Sequence, residues 1–418
     1  MLLLSLCAIL LFGLLIAFLC KKLNLPVLIG YLAVGIILGP YVLNMIDVKI
    51  LNISAEFRQI ALIIILLRAG LSLDLSDLKR MGKLAVLMSF IPAVFELFAV
   101  GLLGPLLFDI SYLDAFILGS VLGAVSPAVV VPRMVKMIDE NRGVAHEVPE
   151  LIIAGSSIDD IVVIVIFTAL TTVAAGGTIG IMTYFNVPIS IILGIASGIG
   201  IGLFMVWFFK RVHIRDTLKV IIICAVCFGL VAVEELLEGI VGFSGLLATI
   251  TIGVVISSKY KVLSQRLSQK YSKLWILSEI ILFVLVGASV NIKYFVDNLG
   301  FAMLLIVCGL AIRSVGVLLC LIKSKLDPRE RLFTVIAYTP KATVQAAIGG
   351  IPLAMGLASG NIILSVAVIS ILFTAPFGAL VMDLTVNKLV PIPKPKETIK
   401  LSKGTEAIEE EQVPQQVN

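Results

Sequence analysis

Two adjacent carboxylates, Asp159 and Asp160, lie inside an otherwise apolar segment, IIAGSSIDDIVVIVIFTALTT at 152–172. About 20 apolar residues cross a bilayer as a helix, so this segment is long enough to span one. An ionised aspartate at the bilayer centre costs about 2.5 kcal/mol or more, and ionisable groups at this depth mark ion pathways or proton relays. The pair therefore predicts a site for a monovalent cation and a proton. An aspartate held neutral or paired for structural reasons is the alternative.

The two aspartate side chains cannot face one point equally, because neighbouring residues on a helix are rotated by about 100°. We expect Asp160 to be the principal cation and proton ligand, with Asp159 second. Ser156 lies one turn before Asp160, so its hydroxyl is a further candidate ligand; a hydroxyl bonded back to its own helix is an equal alternative. The only metal expected is the transported Na⁺ or Li⁺, and no cofactor is expected.

Prolines interrupt two other apolar segments, GAVSP at 123–127 and YTPK at 338–341. Proline removes a backbone donor and disrupts a helix, and such breaks are tolerated at membrane depth only where they are buried or line a polar cavity. Two opposed broken helices would present backbone carbonyls to a cation near the midplane. Two ordinary proline kinks are the alternative. The residues expected at the crossover of the broken helices are Ser126, Pro127, Thr339, Pro340 and Lys341.

The composition indicates that these segments belong to a polytopic membrane protein. The chain has 418 residues, of which 60% are hydrophobic and 14% charged, against about 25% charged residues in soluble domains. No basic domain or aromatic platform suggests nucleic-acid binding. The pair Cys224 and Cys227 lacks a second pair or a histidine, so a zinc site is not expected.

Hydropathy predicts an all-α fold with thirteen transmembrane helices. The segments are 2–20, 26–46, 57–72, 83–108, 112–135, 148–174, 187–209, 216–234, 241–258, 272–290, 299–322, 331–349 and 361–385. Alternate connections and the tail hold 26 of the 32 basic residues, which places the N-terminus outside and the C-terminus in the cytoplasm. No positive region precedes the first apolar run, which therefore predicts a retained helix rather than a cleaved signal. We expect location in the plasma membrane.

Short segments that resemble each other within the chain predict an internal repeat. The sequence AGLSLD at 69–74 resembles VGASVN at 286–291, and IGYLA at 29–33 resembles SGLLA at 244–248. Matching spans are seven helices apart, so the two copies must have opposite orientations in the membrane. We expect two inverted six-helix repeats, 1–186 and 210–389, joined by a linker helix at 187–209 and followed by a disordered tail at 390–418. Inverted repeats are typical of secondary transporters, with the site at the midplane.

Three further charges, Glu96, Arg313 and Lys341, lie deep in apolar sequence. Lys341 could neutralise the negative C-terminal ends of the half-helices, a role that we favour over direct substrate binding. Glu96 and Arg313 are 217 residues apart, as are Gly70 and Gly287, so they occupy equivalent positions in the repeats. We therefore predict a buried Glu96–Arg313 ion pair that leaves both aspartates free.

Four motifs give a specific resemblance: GAVSPAVVVP at 123–132, AGSSIDDI at 154–161, LLRAGLSLD at 66–74 and TPKATVQAAIG at 339–349. They resemble the cation:proton antiporter superfamily, and within it the two-aspartate branch of NHA-type sodium/proton exchangers. The resemblance implies a core (ion-binding) domain, a dimer domain, homodimers and elevator-type alternating access. Asp160 matches the essential carboxylate and Asp159 its neighbour. Arg313 matches a basic position that in some relatives is a lysine competing for the first aspartate. The Glu96–Arg313 pairing differs from the arrangement in those relatives, and this difference leaves the stoichiometry of transport open.

Together these observations favour a membrane antiporter that exchanges Na⁺ or Li⁺ for H⁺, and not an enzyme. Burial favours the protonated form of a carboxylate, whereas an arriving cation favours the ionised form. Competition between cation and proton for one site then produces exchange. Three alternatives stay open: a K⁺/H⁺ antiporter, a cation channel and a sodium-coupled organic-acid symporter.

Overall fold

The computed structural model describes residues 2–23, 25–73, 75–175, 181–237 and 241–392, with the backbone alone at 75–81 and 181–187. Within these ranges every regular element is a helix. A 3-10 helix, Val144–His146, accompanies eighteen α-helices. In chain order these are α1 Leu2–Lys22, α2 Val27–Leu38, α3 Val48–Asn52, α4 Ser54–Ser72, α5 Leu75–Phe108, α6 Tyr112–Leu122, α7 Pro127–Asp139, α8 Val148–Ala175, α9 Ile181–Arg211, α10 Asp216–Leu236, α11 Gly245–Lys259, α12 Lys261–Ser289, α13 Ile292–Asp297, α14 Leu299–Leu321, α15 Pro328–Ala337, α16 Thr343–Ile348, α17 Ile351–Ala354 and α18 Gly360–Leu389.

Nine helical stretches in the described ranges are long and apolar enough to cross a membrane. They are α1, α5 from Gly82, α6 together with α7, α8, α9 from Pro188, α10, α12, α14 and α18. The other four predicted spans fall on α2, α4, α11 and the α15–α16 pair, which are shorter or more polar. The chain is an all-helical, multi-pass membrane protein, and the count of thirteen spans stays a prediction.

Some boundaries differ from those predicted. The second span is predicted over 26–46, but α2 ends at Leu38, because the following Gly39 and Pro40 do not continue a helix. The tenth span is predicted to begin at 272, but α12 begins at Lys261. The first turns of α12 are polar, so a hydropathy pattern does not include them. Val390, the first residue of the predicted tail, is buried. Residues 393–418 of that tail lie outside the described residues.

Two membrane segments are interrupted by non-helical backbone. One interruption separates α6 from α7 and the other separates α15 from α16. Pro127 occupies the first turn of α7, where the N–H that proline lacks has no helical partner in any case. The interruptions touch, because the Ser126 N–H donates to the Pro340 carbonyl over 2.8 Å. Both breaks therefore lie at the predicted prolines, and they contact each other.

Glycines allow close approach between α2 and α12 and between α4 and α11. A methyl group on Gly287 of α12 would overlap the Leu32 carbonyl of α2. One on Gly70 of α4 would lie 2.5 Å from the Ile250 carbonyl and 3.1 Å from the Gly253 Cα of α11. The helix backbones are in direct contact at these points, as is common where small residues mediate packing in membranes.

The long helix α5 packs against α14, α6 and α8. Small residues bring α5 and α14 together: a methyl group on Gly316 of α14 would lie 3.1 Å from the Pro92 Cα of α5. This packing carries Glu96 of α5 and Arg313 of α14 into the interior, where both are at most 1% exposed. The charged residues of α5, α8 and α14 therefore meet beside the two interruptions.

Candidate functional site

Asp159 of α8 is fully buried and held by two donors. Its Oδ2 accepts from the Val125 N–H and from Arg313 Nη2, each over 2.8 Å. The Val125 N–H can turn to a side chain because Val125 lies in the interruption between α6 and α7, where no helical carbonyl pairs with it. The other carboxylate oxygen, Oδ1, has no hydrogen-bond partner among the described residues.

Arg313 connects this aspartate to the rest of the site. Its Nη1 lies 2.9 Å from Glu96 Oε2, the contact that the repeat offset predicts, and also donates to the Gly123 carbonyl. Its Nε donates to the Tyr338 carbonyl over 3.0 Å. The planar, multi-donor guanidinium suits such bridging. The expectation that pairing with Glu96 leaves Asp159 free is wrong, because Arg313 has enough donors to hold both carboxylates.

Lys341 lies at the second interruption and pairs with the same glutamate. Its Nζ is 2.7 Å from Glu96 Oε1 and 2.8 Å from Oε2, and it donates to the Leu122 carbonyl over 2.5 Å. Leu122 is the last residue of α6, so the ammonium group stands at the negative C-terminal end of that half-helix. This geometry fits the expected electrostatic role, with Glu96 as an additional partner that the sequence does not indicate.

The four charged groups in contact balance one another. Arg313 and Lys341 supply two positive charges, and Asp159 and Glu96 two negative ones, all at side chains that are at most 1% exposed. Charges buried at membrane depth are tolerated when they are paired and hydrogen-bonded. In its ionised form this network is neutral without any contribution from Asp160.

Asp160 is buried beside this network but has no ion pair within it. Its Oδ1 has no hydrogen-bond partner in the described part of the chain. The residue lines a narrow cavity of about 10 Å³ between α4, α8, α11 and α16. The lining residues are Leu62, Ile65, Leu66, Ala69, Asp160, Ile161, Ile164, Ile250, Thr343, Val344 and Ala347. The two aspartates therefore face different surroundings, and Asp160 is the one that meets the cavity.

The remaining predicted residues lie around the interruptions. The Ser156 hydroxyl donates to the Ile153 carbonyl over 3.2 Å, so it is bonded back to its own helix. Ser126 is buried with a hydroxyl that has no partner among the described residues, and Pro127 follows it at the start of α7. The Thr339 hydroxyl donates to the Ile336 carbonyl over 2.8 Å. None of these side chains lines the cavity beside Asp160.

Three further polar residues join the site without having been singled out from the sequence. Gln345 Nε2 donates to the Ala124 carbonyl over 2.9 Å, and the Thr374 hydroxyl accepts from the Lys341 N–H over 2.9 Å. The third, Thr343, lines the cavity. The only signal for Gln345 and Thr343 is the TPKATVQAAIG motif, in which two polar residues follow the proline and lysine within apolar sequence.

A family model described as “Sodium/hydrogen exchanger, transmembrane” matches residues 7–388. The chain belongs to this family. The resemblance carried by the four motifs is thereby confirmed. Because members of the family are secondary transporters, this exchanger is a transporter and not an enzyme.

Individual relatives support the assignment over most of the exchanger. Human “Sodium/hydrogen exchanger 9B1” is 32% identical over 398 residues, which cover 91% of this chain and 76% of that protein. Human “Sodium/hydrogen exchanger 9B2” is 30% identical over 405 residues, with coverage of 91% and 75%. The structure of the sodium proton antiporter MjNhaP1 from Methanocaldococcus jannaschii at pH 8 is similar with a TM-score of 0.77 and 20% identity, over 92% of this chain and 97% of that one. At this identity the structural match concerns the fold alone.

Proposed function

We propose that the exchanger carries Na⁺ or Li⁺ in one direction and H⁺ in the other, with Asp160 as the carrier of both. The observation that supports this most directly is the charge balance of the site. Asp159, Arg313, Glu96 and Lys341 compensate one another, whereas Asp160 is buried and has no ion pair among the residues that the structure describes. An ionised carboxylate in that position needs a positive partner, and the family and its named relatives point to sodium and protons.

Competition for one carboxylate couples the two ions. A proton on Asp160 removes the charge that attracts the cation, and a bound cation favours the ionised form that cannot hold a proton. The empty, ionised site is the state that costs most to bury. The exchanger therefore moves its site across the membrane with either ion bound and returns with the other. The apparent affinity for Na⁺ should fall as the pH falls.

The proposal extends to the membrane topology and the internal repeat of the chain. We propose thirteen spans in two inverted repeats, 1–186 and 210–389, joined by the linker 187–209, with the N-terminus outside and the C-terminus in the cytoplasm. Contacts support the repeat: Glu96 and Arg313 share the offset of Gly70 and Gly287, and both glycines mediate contacts between helix backbones.

In this arrangement α8 and the two interrupted segments form a core domain, which moves against a dimer domain that includes α4 and α11. The cavity beside Asp160 lies between these two groups of helices. We propose that the exchanger works as a homodimer in the plasma membrane and that the core domain carries Asp160 between the two sides.

Transport in proteoliposomes tests the function. The purified chain would be reconstituted with an imposed pH gradient and a pH-sensitive dye, and Na⁺, Li⁺ or K⁺ would be added. We expect Na⁺ and Li⁺ to collapse the gradient, and K⁺ to have no effect. Asp160→Asn should abolish the response, because the amide cannot bind a proton or neutralise a cation. Asp297→Asn, at an exposed position at the end of α13, is the matched control and should transport normally.

Other outcomes separate the alternatives. Collapse with K⁺ alone would keep the mechanism and change the substrate. Unsaturable flux that is not accelerated by ion on the opposite side would indicate a channel. A folded wild-type protein that responds to no cation at any pH would overturn the proposal and leave solute uptake driven by a sodium gradient to be tested.

A further inference from the structure

The hydroxyl of Thr343 is buried and has no hydrogen-bond partner in the described part of the chain. The residue is 2% exposed, and its Oγ1 has no partner among the described residues. A buried hydroxyl left unpaired destabilises the folded state. Such a group in a native structure requires an explanation.

The position of Thr343 in its helix explains why the hydroxyl lacks the usual partner. A threonine inside a helix typically donates to the carbonyl four residues earlier, as Thr171 and Thr374 do here. Thr343 is the first residue of α16, so the residues before it belong to the interruption. The Pro340 carbonyl, three residues earlier, already accepts from the Ser126 N–H. The break in the helix therefore leaves this hydroxyl available.

Thr343 lines the cavity beside Asp160. Of its eleven lining residues, only Thr343 and Asp160 have a side-chain oxygen. Asp160 Oδ1 is likewise buried without a hydrogen bond to any residue that the structure describes. The two unpaired oxygens come from different helices, α16 and α8, and the remaining walls are aliphatic or alanine side chains. A hard cation that enters this space prefers oxygen ligands, and these are the side-chain oxygens on offer.

We propose that Thr343 is a second ligand of the transported monovalent cation, with its hydroxyl oxygen completing the site at Asp160 and setting its affinity for Na⁺ and Li⁺. This inference rests on the exchange function proposed above. Gln345 and Ser156 do not take this role, because neither residue lines the cavity. The Gln345 amide donates to the Ala124 carbonyl, and the Ser156 hydroxyl is bonded to its own helix.

Substitutions that keep or remove the hydroxyl oxygen test the role of Thr343. Thr343→Val keeps the shape of the side chain and removes the oxygen, and Thr343→Ser keeps the oxygen. Thr249→Val is the matched control, because Thr249 is fully buried on α11 and does not line the cavity. Na⁺ concentration dependence would be measured in proteoliposomes at alkaline pH, where protons compete least. Li⁺ would be measured in parallel.

We expect Thr343→Val to raise the KM for Na⁺ by about tenfold or more, which corresponds to the loss of one charge-assisted contact. Thr343→Ser and Thr249→Val should stay near the wild-type KM. The wild-type melting temperature should rise with added Na⁺, and Thr343→Val should lose most of that rise while melting normally without Na⁺. If the valine variant does not fold, Thr343→Ala provides the same test.

A valine or alanine variant with the wild-type KM and the wild-type thermal response to Na⁺ would overturn the role of Thr343. The exchange function would survive that result, since wild-type transport and its loss in Asp160→Asn are measured separately. Failure of the function itself would appear instead as a wild-type protein that does not respond to Na⁺.

Discussion

Asp159 and Asp160 are neighbours in sequence with contrasting surroundings. Asp159 accepts from Val125 and Arg313, and its charge is part of a balanced network. Asp160 faces an aliphatic cavity in which the other oxygen-bearing side chain is Thr343. The rotation of about 100° between adjacent helical residues separates the two environments. In the proposed mechanism Asp159 therefore sets the electrostatic background against which Asp160 binds its ions.

The charge balance predicts the effect of Asp159→Asn. The neutral amide leaves Arg313 and Lys341 with only Glu96 as a paired carboxylate, so the network gains one positive charge and repels a cation at Asp160. We expect the KM for Na⁺ to rise by about tenfold or more, equivalent to about 1.4 kcal/mol, with transport retained at saturating Na⁺. Initial rates at alkaline pH would measure this. An unchanged KM would show that the network charge does not control Asp160, and Asp297→Asn serves as the control.

Sequence patterns predict individual site residues unevenly. The aspartate pair and the two prolines could be found because charges and helix breakers are conspicuous in apolar sequence. The Glu96–Arg313 contact followed from the repeat offset. The pairing of Arg313 with Asp159 and of Lys341 with Glu96 could not be found in this way, since a guanidinium or ammonium can serve several acceptors and only the packing determines which are in reach. The motif that contains Thr343 did not single out its hydroxyl, because a threonine in an apolar segment is usually bonded to its own helix.

At the scale of helices, α4 packs closely against α11, and α2 packs closely against α12. Of these four helices, α4 and α11 line the cavity beside Asp160. Gly70, Gly253 and Gly287 mediate these contacts between helix backbones. The approximate positions of these helices could be predicted from hydropathy. Their ends could not, because α12 begins with polar turns and α2 stops early at Gly39 and Pro40.

We expect Gly287→Ala to destabilise the protein by about 1–3 kcal/mol, because the added methyl group overlaps the Leu32 carbonyl and forces α2 and α12 apart. Gly300→Ala is the matched control: nothing lies within 4 Å of a methyl group on this residue of α14. Replacing glycine there should be neutral or stabilising by up to about 1 kcal/mol. Thermal unfolding in detergent would compare the two variants. Equal melting temperatures would contradict the close contact.

For the whole molecule, the charge balance of the network determines whether the membrane voltage can drive exchange. This network consists of Asp159, Arg313, Glu96 and Lys341. In the proposed mechanism, Asp160 carries no net charge with either Na⁺ or H⁺ bound, and the network adds none. The exchanger should then displace no charge across the bilayer in either half of its cycle, and should exchange one proton for each sodium ion. A site that moved one elementary charge would feel about 2.3 kcal/mol per 100 mV.

Voltage imposed on proteoliposomes with a K⁺ gradient and valinomycin would measure this. We expect the initial rate of exchange to be the same at zero and at about −100 mV. If one charge moved across the bilayer, the ratio of forward to reverse rates would change by up to about fiftyfold. A rate that follows voltage would mean that Asp159 releases Arg313 and takes up a second proton. An exchanger built this way draws on the sodium and proton gradients alone, and would keep working in a cell whose membrane is depolarised.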